Sequence, residues 1–164
     1  MKLAASNIAW PAEQDQEMYA YLAAQGYQGI EIAPTRILPQ NPYDCRAEAG
    51  QFARSLREHY GLQIVSMQSI WYGRQENIFR SKEERQSLLS YTKKAILFAE
   101  SMDCPNIVFG CPKNRNRAGC SQAMGPIHEF FAELGRYAAE HGTVLAIEAN
   151  PEIYQTDFLN RTAE

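Results

Sequence analysis

Short apolar runs alternate along this chain with longer stretches of helical periodicity, and that alternation constrains its fold more than any other feature. Residues 3–8 read as a first strand. Pro11, Glu13 and Asp15 then mark a helix start, with negative charge favoured in the first turn, and Gly26 can take the left-handed stop position. Residues 29–34 (GIEIAP) read as a second strand ending at a proline, which completes a unit of βαβ size. Ala49, Phe52, Ala53, Leu56 and Tyr60 fall at i, i+3, i+4, i+7 and i+11, an amphipathic helix closed by Gly61. Residues 62–66 are the third strand. Ser81 and Glu84 form a Ser-x-x-Glu capping box ahead of a long helix whose one face holds Leu88, Tyr91, Ala95, Phe98, Ala99 and Met102. Residues 106–109 are the fourth strand, and Ile127, Phe130, Phe131, Leu134 and Ala138 repeat the second helix's spacing before Gly142. Val144 to Ile147 then read as a buried fifth strand that delivers one carboxylate, Glu148, at its C-terminal end.

Strands that alternate with helices predict an α/β fold with a parallel sheet and right-handed crossovers. The loops after strands two, three and four are long and rich in Pro, Asn, Arg and aromatics, whereas those after helices are short and marked by glycine. That asymmetry places function at the C-terminal ends of the strands. The 164 residues suit a single domain spanning 1–164, with 45% hydrophobic and 21% charged residues, an ordinary globular balance. A net charge of −3 and a pI near 5.7 give no footprint for nucleic acid or an anionic membrane. No apolar run approaches a membrane span, and the N-terminus lacks the sustained apolar core of a signal peptide. Cys45, Cys104, Cys111 and Cys120 show no CxxC spacing, and with only three histidines a zinc ribbon is disfavoured. Reduced thiols and a cytoplasmic location are the expectation.

The strand ends carry a resemblance. GIEIAP at 29–34, IVSMQS at 64–69, NIVFGCPKN at 106–114 and LAIEANP at 145–151, the last followed by Tyr154, Thr156, Asp157 and residues 158–160, resemble the sugar-phosphate isomerase/epimerase branch of the xylose-isomerase-like superfamily. The resemblance implies a partial (β/α)8 TIM barrel holding strands one to five, with the C-terminal three units missing, since such a barrel needs about 250 residues. It also implies a divalent metal (Mn, Mg, Co or Zn) held by acidic and His or Gln residues after strands five to eight. Glu148 stands at the first of those positions, and the others would lie beyond Glu164.

Each candidate has a plain structural alternative. Glu148 is the expected metal ligand and proton-transferring base; otherwise a lysine or backbone amide satisfies it. Glu31 would bond a substrate hydroxyl or orient a ligand, or else sit in an ion pair with Arg36, Arg115 or Lys113. Gln68 stands where many relatives carry a substrate-binding His, so that position keeps hydrogen bonding and loses titration. Trp10, Trp71 and Tyr72 could wall a sugar's C–H face or simply cap the core. Lys113, Asn114, Arg115 and Arg117 form a basic loop suited to a substrate phosphate or carboxylate, or a solvated loop. Asn150 and Tyr154 would shape the loop beside Glu148, although Asn before Pro is also a good turn. His59 and His141 belong to helix ends and His128 to a helix surface.

The expected function is metal-dependent isomerisation or epimerisation of a small sugar or sugar phosphate. A chain with only this site portion is expected to be inactive alone and to self-associate, or to need the missing C-terminal half. The alternatives are a non-catalytic half-barrel that binds a partner and, less favoured, a nuclease related to apurinic endonucleases. The nuclease would need many metal-binding His and a basic rim, which three histidines and an acidic pI oppose.

Overall fold

The structure, a computed structural model, describes residues 2–117 and 124–158, so the expectations for Cys120, Leu159 and Asn160 lie outside the described residues. Five parallel strands pair in sequential order: β1 (Ala4–Ser6), β2 (Gly29–Ile32), β3 (Gln63–Met67), β4 (Asn106–Phe109) and β5 (Val144–Ile147). Strictly sequential order is the winding of a partial (β/α)8 barrel. A doubly wound sheet reverses its order at a switch point. Between the strands run α1 (Asp15–Ala24), a short α2 (Pro34–Ile37), α3 (Arg46–Tyr60), α4 (Lys82–Glu100) and α5 (Gly125–Glu140).

The helices follow from their sequence signals. Those leading into β2, β3 and β5 are followed by Gly26, Gly61 and Gly142 at φ +77°, +68° and +69°, a conformation costly for any side chain with a Cβ. Ser81 caps α4 by accepting from Glu84 N at 3.1 Å. The reciprocal half of the expected capping box is diverted, because Glu84 Oε2 accepts from Asn77 N at 2.6 Å and braces the loop before the helix. The second strand, expected to reach Pro34, ends at Ile32, because Pro34 starts α2 in the long loop that follows, which also holds a 3₁₀ turn over Pro42–Asp44.

Alternation along the strands divides the sheet into two faces. Ile30, Ile32, Ile64, Met67, Ile107 and Phe109 point toward the helices and are at most 4% exposed, in one core with Leu56, Leu88, Phe98, Ile127 and Leu134. Burying each such side chain contributes roughly 1.5–3 kcal/mol. The opposite, inner face carries Ser6, Glu31, Asn106 and Ala146, which are partly open. At Ile30/Glu31 the register slips, so that Glu31 stands opposite Ser66 and Val65 is the extra residue. The bulge brings a polar side chain beside Glu31 in place of a valine.

One expectation is corrected by this topology. β5 was read as buried, yet Val144 is 62% and Ile147 42% exposed. β5 is an edge of the described sheet, and an apolar run is buried only where a neighbour covers it. Among the described residues no helix is long and apolar enough to cross a membrane.

Candidate active site

A polar row crosses the inner face near the strand ends. Gln68, just past β3, donates through Nε2 to Ser6 Oγ at 2.8 Å and to Glu31 Oε1 at 3.1 Å. Its own Oε1 accepts from Ser69 Oγ at 3.3 Å. Asn106 Nδ2 donates to Ser66 Oγ at 3.0 Å, which ties β3 to the first residue of β4, away from that strand's C-terminal end. The ion pair considered for Glu31 with Arg36 does not form, because Arg36 grips Asp15 in α1 through both terminal nitrogens, at 2.9 and 3.2 Å. Glu31 is instead held by the side-chain amide of Gln68, which leaves its second oxygen available on the partly open face.

Glu148 follows β5 on the same face, with its amide donating to Phe109 O at 3.1 Å. Its carboxylate leans over the end of β4. A Cβ placed on Gly110 would stand 2.6 Å from Glu148 Oε2, so only glycine leaves room for the carboxylate in that position. Gly110 thus shapes the site without offering a functional group, and its signal in the sequence is only a glycine ending an apolar strand. Behind Glu148 lies Arg115, fully buried, donating through Nη2 to the Glu148 carbonyl at 2.6 Å and resting 5.8 Å from the Phe109 ring. Burial lowers the guanidinium's pKa from its ordinary value, opposed by the charge of Glu148 among others. Cys111, next to Gly110, has its thiol pushed up to about 12 by burial and is a filler in this site. Ser69 and Cys111 open the loops after β3 and β4 with left-handed backbones, φ 56° and 40°, sparsely populated for such residues and clustered here at the strand ends.

The remaining candidates scatter. Trp10 and Trp71 belong to the core, 9% and 2% exposed, with their indole N–H groups committed to Asp15 Oδ1 and Thr92 Oγ1. Of the three aromatics only Tyr72 is open, at 72%. The basic loop is not uniformly solvated. Lys113 is exposed, whereas Asn114 is buried and gives its amide to the carbonyls of Arg74 and Glu76, tying the β4 loop to the β3 loop. Arg117 stacks 5.8 Å from Phe79, and its amide donates to Asp157. Asn150 is buried behind Glu148 and Tyr154 is exposed in a 3₁₀ turn over Glu152–Tyr154.

The loops after β1, β2 and β3 enclose a cavity of about 760 Å³, lined among others by Ile8, Arg36, Asn41, Ser69, Tyr72 and Arg74. A second cavity of about 450 Å³ shares Ser69, Tyr72, Gly73 and Arg74 with it and reaches Cys111 and Lys113. The two cavities adjoin through these shared residues. Sequence reasoning missed Arg36 and Arg74 as site residues, since isolated arginines in loops carry no motif. Among the described residues no group of three or more His, Cys, Asp or Glu could hold a metal ion. Glu148 fits as one donor, and the residues present do not make a full metal site.

No curated protein matches the sequence. Solved structures with the same fold include a sugar phosphate isomerase/epimerase from Parabacteroides distasonis (TM-score 0.65, 17% identity, covering 89% of this chain and 50% of that one). They also include 3-keto-D-glucoside 4-epimerase from E. coli (0.64, 17%, 90% and 55%) and a D-psicose 3-epimerase with D-fructose (0.70, 17%, 98% and 56%). The chain spans about half the length of these proteins. The profile of the xylose isomerase-like TIM barrel family matches residues 19–163, nearly the whole chain, and the sequential parallel sheet agrees with it, so this chain belongs to that family.

Proposed function

We propose that this chain supplies part of the active site of a metal-dependent isomerase or epimerase acting on a small sugar or sugar phosphate. The observation that carries this reading is the Glu148 carboxylate, exposed on the inner face at the end of β5 and given room by Gly110. The family and the epimerases of like fold support it. Such a reaction removes the proton on a carbon next to a carbonyl. Glu148 takes that proton, the C–H electron pair moves to form the enediolate, and the proton's return to the neighbouring carbon gives the isomer, whereas the epimer needs a proton from an acid on the opposite face, supplied from beyond these residues. Gln68 commits its amide hydrogens to Ser6 and Glu31 and so orients the Glu31 carboxylate, whose second oxygen accepts from a substrate hydroxyl. A divalent metal, when bound, would stabilise the enediolate's charge, with Glu148 as one of its donors.

A single carboxylate holds such an ion weakly. Turnover therefore requires donors beyond those of these residues, whether from further chain or from an associated partner. The test is Mn²⁺ titration followed by paramagnetic broadening of backbone amide signals, which registers weak binding. Broadening centred on Gly110 and Glu148, lost in Glu148→Gln, is expected; broadening elsewhere, or none, would overturn the reading. A coupled ketose-epimerase assay with Mn²⁺ is expected to show no turnover by this chain alone, and turnover abolished by Glu148→Gln would defeat that part.

A further inference from the structure

The cavity between the first three strand-end loops carries chemistry that the Glu148 reading does not use. It is lined by two guanidinium groups, Arg36 and Arg74, which at first sight mark it as a phosphate site. Their partners say otherwise. Arg36 is bound by both terminal nitrogens to the Asp15 carboxylate, and Nη2 also donates to Trp10 O at 3.2 Å. Arg74 is ion-paired with Glu76, gives its Nη2 also to Ser87 Oγ at 3.0 Å, and lies 4.6 Å over the Tyr91 ring. Both pairs are largely shielded, with side-chain exposures of 16% and 28% for the first and 30% and 23% for the second. Each cation of this cavity therefore has its own carboxylate behind it. A dianion would have to displace a carboxylate or face it across the guanidinium, and either costs the favourable pairing.

A guanidinium held in this way still presents N–H donors. Arg36 uses only its terminal nitrogens in the bonds described, which leaves its Nε–H uncommitted, whereas Arg74 Nε is itself buried and faces no ligand. Such donors suit a neutral hydroxyl, which accepts a bond and brings no charge. Thr35, Asn41 and Ser69 add short polar groups at the wall. Ile8 and Tyr72, 54% and 72% exposed, stand on the lining as apolar surface that the core does not need. Alternating donors and apolar patches match the O–H and C–H faces of a polyhydroxylated chain. The volume lies well within the usual range for ligand pockets, about 300–1,000 Å³.

We infer that this cavity binds the uncharged, polyhydroxylated part of the substrate, and that an unphosphorylated sugar is the class it takes. The inference rests on the Glu148 reading for the reacting end. Lys113, exposed on the adjoining cavity, lies toward the β4 loop and outside the first cavity's lining.

The test is a titration with three probes, D-fructose, D-fructose 6-phosphate and inorganic phosphate. Binding is followed by NMR through the Nε–H signals of Arg36 and Arg74 and the amides of Thr35, Ser69 and Gly73. D-Fructose is expected to shift these signals, with D-fructose 6-phosphate no tighter and inorganic phosphate without effect. Tyr72→Ala is expected to weaken the D-fructose shifts several-fold at unchanged melting temperature, because the ring is exposed. Unpairing the cations supplies the control for charge. Glu76→Gln, and separately Asp15→Asn, should raise affinity for inorganic phosphate about tenfold or more, the scale of a hydrogen bond to a charged group. Glu76→Gln keeps the experiment decisive should Asp15→Asn disturb Trp10. Phosphate or the phosphosugar binding unaltered protein in this cavity tenfold tighter than D-fructose would overturn the substrate class while leaving the Glu148 reading standing. Shifts with none of the three probes would overturn the cavity's role, and Mn²⁺ broadening at Glu148 reports separately on the other reading.

Discussion

The substitution Gly110→Ala probes how the sheet sets the position of Glu148. Gly110 lies outside the left-handed region, so alanine fits its backbone without strain. The added Cβ would stand 2.6 Å from Glu148 Oε2 and 3.9 Å from its Cδ, while ordinary contact begins at 3.4 Å. The oxygen must therefore retreat by about 0.8 Å, the difference between those distances. Glu148 is exposed and can turn away, and the bond from its amide to Phe109 O does not involve the side chain. The expected stability change is accordingly small, within about 0.5 kcal/mol. Ligand geometry is less forgiving, because groups that orient a metal donor typically contribute about 10–100-fold in affinity. Mn²⁺ broadening at Glu148 should thus need about tenfold more ion in Gly110→Ala, with the denaturant midpoint unchanged. Unchanged Mn²⁺ dependence would refute the argument. So would a loss of several kcal/mol, which would mean that Gly110 is packed against something less mobile than a carboxylate.

Two further outcomes follow from the loops that support the site. Ser81→Ala removes the cap on α4 and should cost about 1 kcal/mol in chemical denaturation, without changing the binding of D-fructose. Glu76 is held below its ordinary pKa of 4.5: burial raises it, but hydrogen bonds from the backbone and Ser87 and the charge of Arg74 outweigh that. A carboxylate with a folded pKa below its unfolded value stabilises the protein above the unfolded pKa and loses that contribution as pH falls through the folded one. Stability should therefore drop below about pH 4.5 more steeply in the unaltered protein than in Glu76→Gln; parallel pH profiles from urea melts would contradict the assignment.

Much of this molecule was legible before any coordinates. Helix stops at Gly26, Gly61 and Gly142, the face of α3 built on Ala49, Ala53 and Leu56, and the bounds of β4 and β5 all follow from local chemistry, because turns and helical periodicity depend on near neighbours in the chain. The placement of Glu148 at a strand end belongs to the same class of inference. What the sequence could not carry were the pairings between loops. Arg115 belongs to a basic run and yet is fully buried against the Glu148 carbonyl; Arg36 and Arg74 carry no motif and yet line a cavity between the strand-end loops. Trp10 and Trp71 could be rim or core on periodicity alone, and only packing made them core.

The division has one physical cause. Alternation of strand and helix, capping and turn residues act over a few residues, so sequence by itself determined the parallel winding of the sheet and that Glu148 follows its fifth strand. Charge is different, since a cation's meaning depends on which carboxylate stands next to it. Asp15 and Arg36 are separated by a helix and a strand, and Glu31 and Gln68 by two neighbouring strands with a bulge between them. Only the tertiary structure decided that Arg36 is already paired, that Glu31 meets an amide, and that Gly110 leaves room for the Glu148 carboxylate.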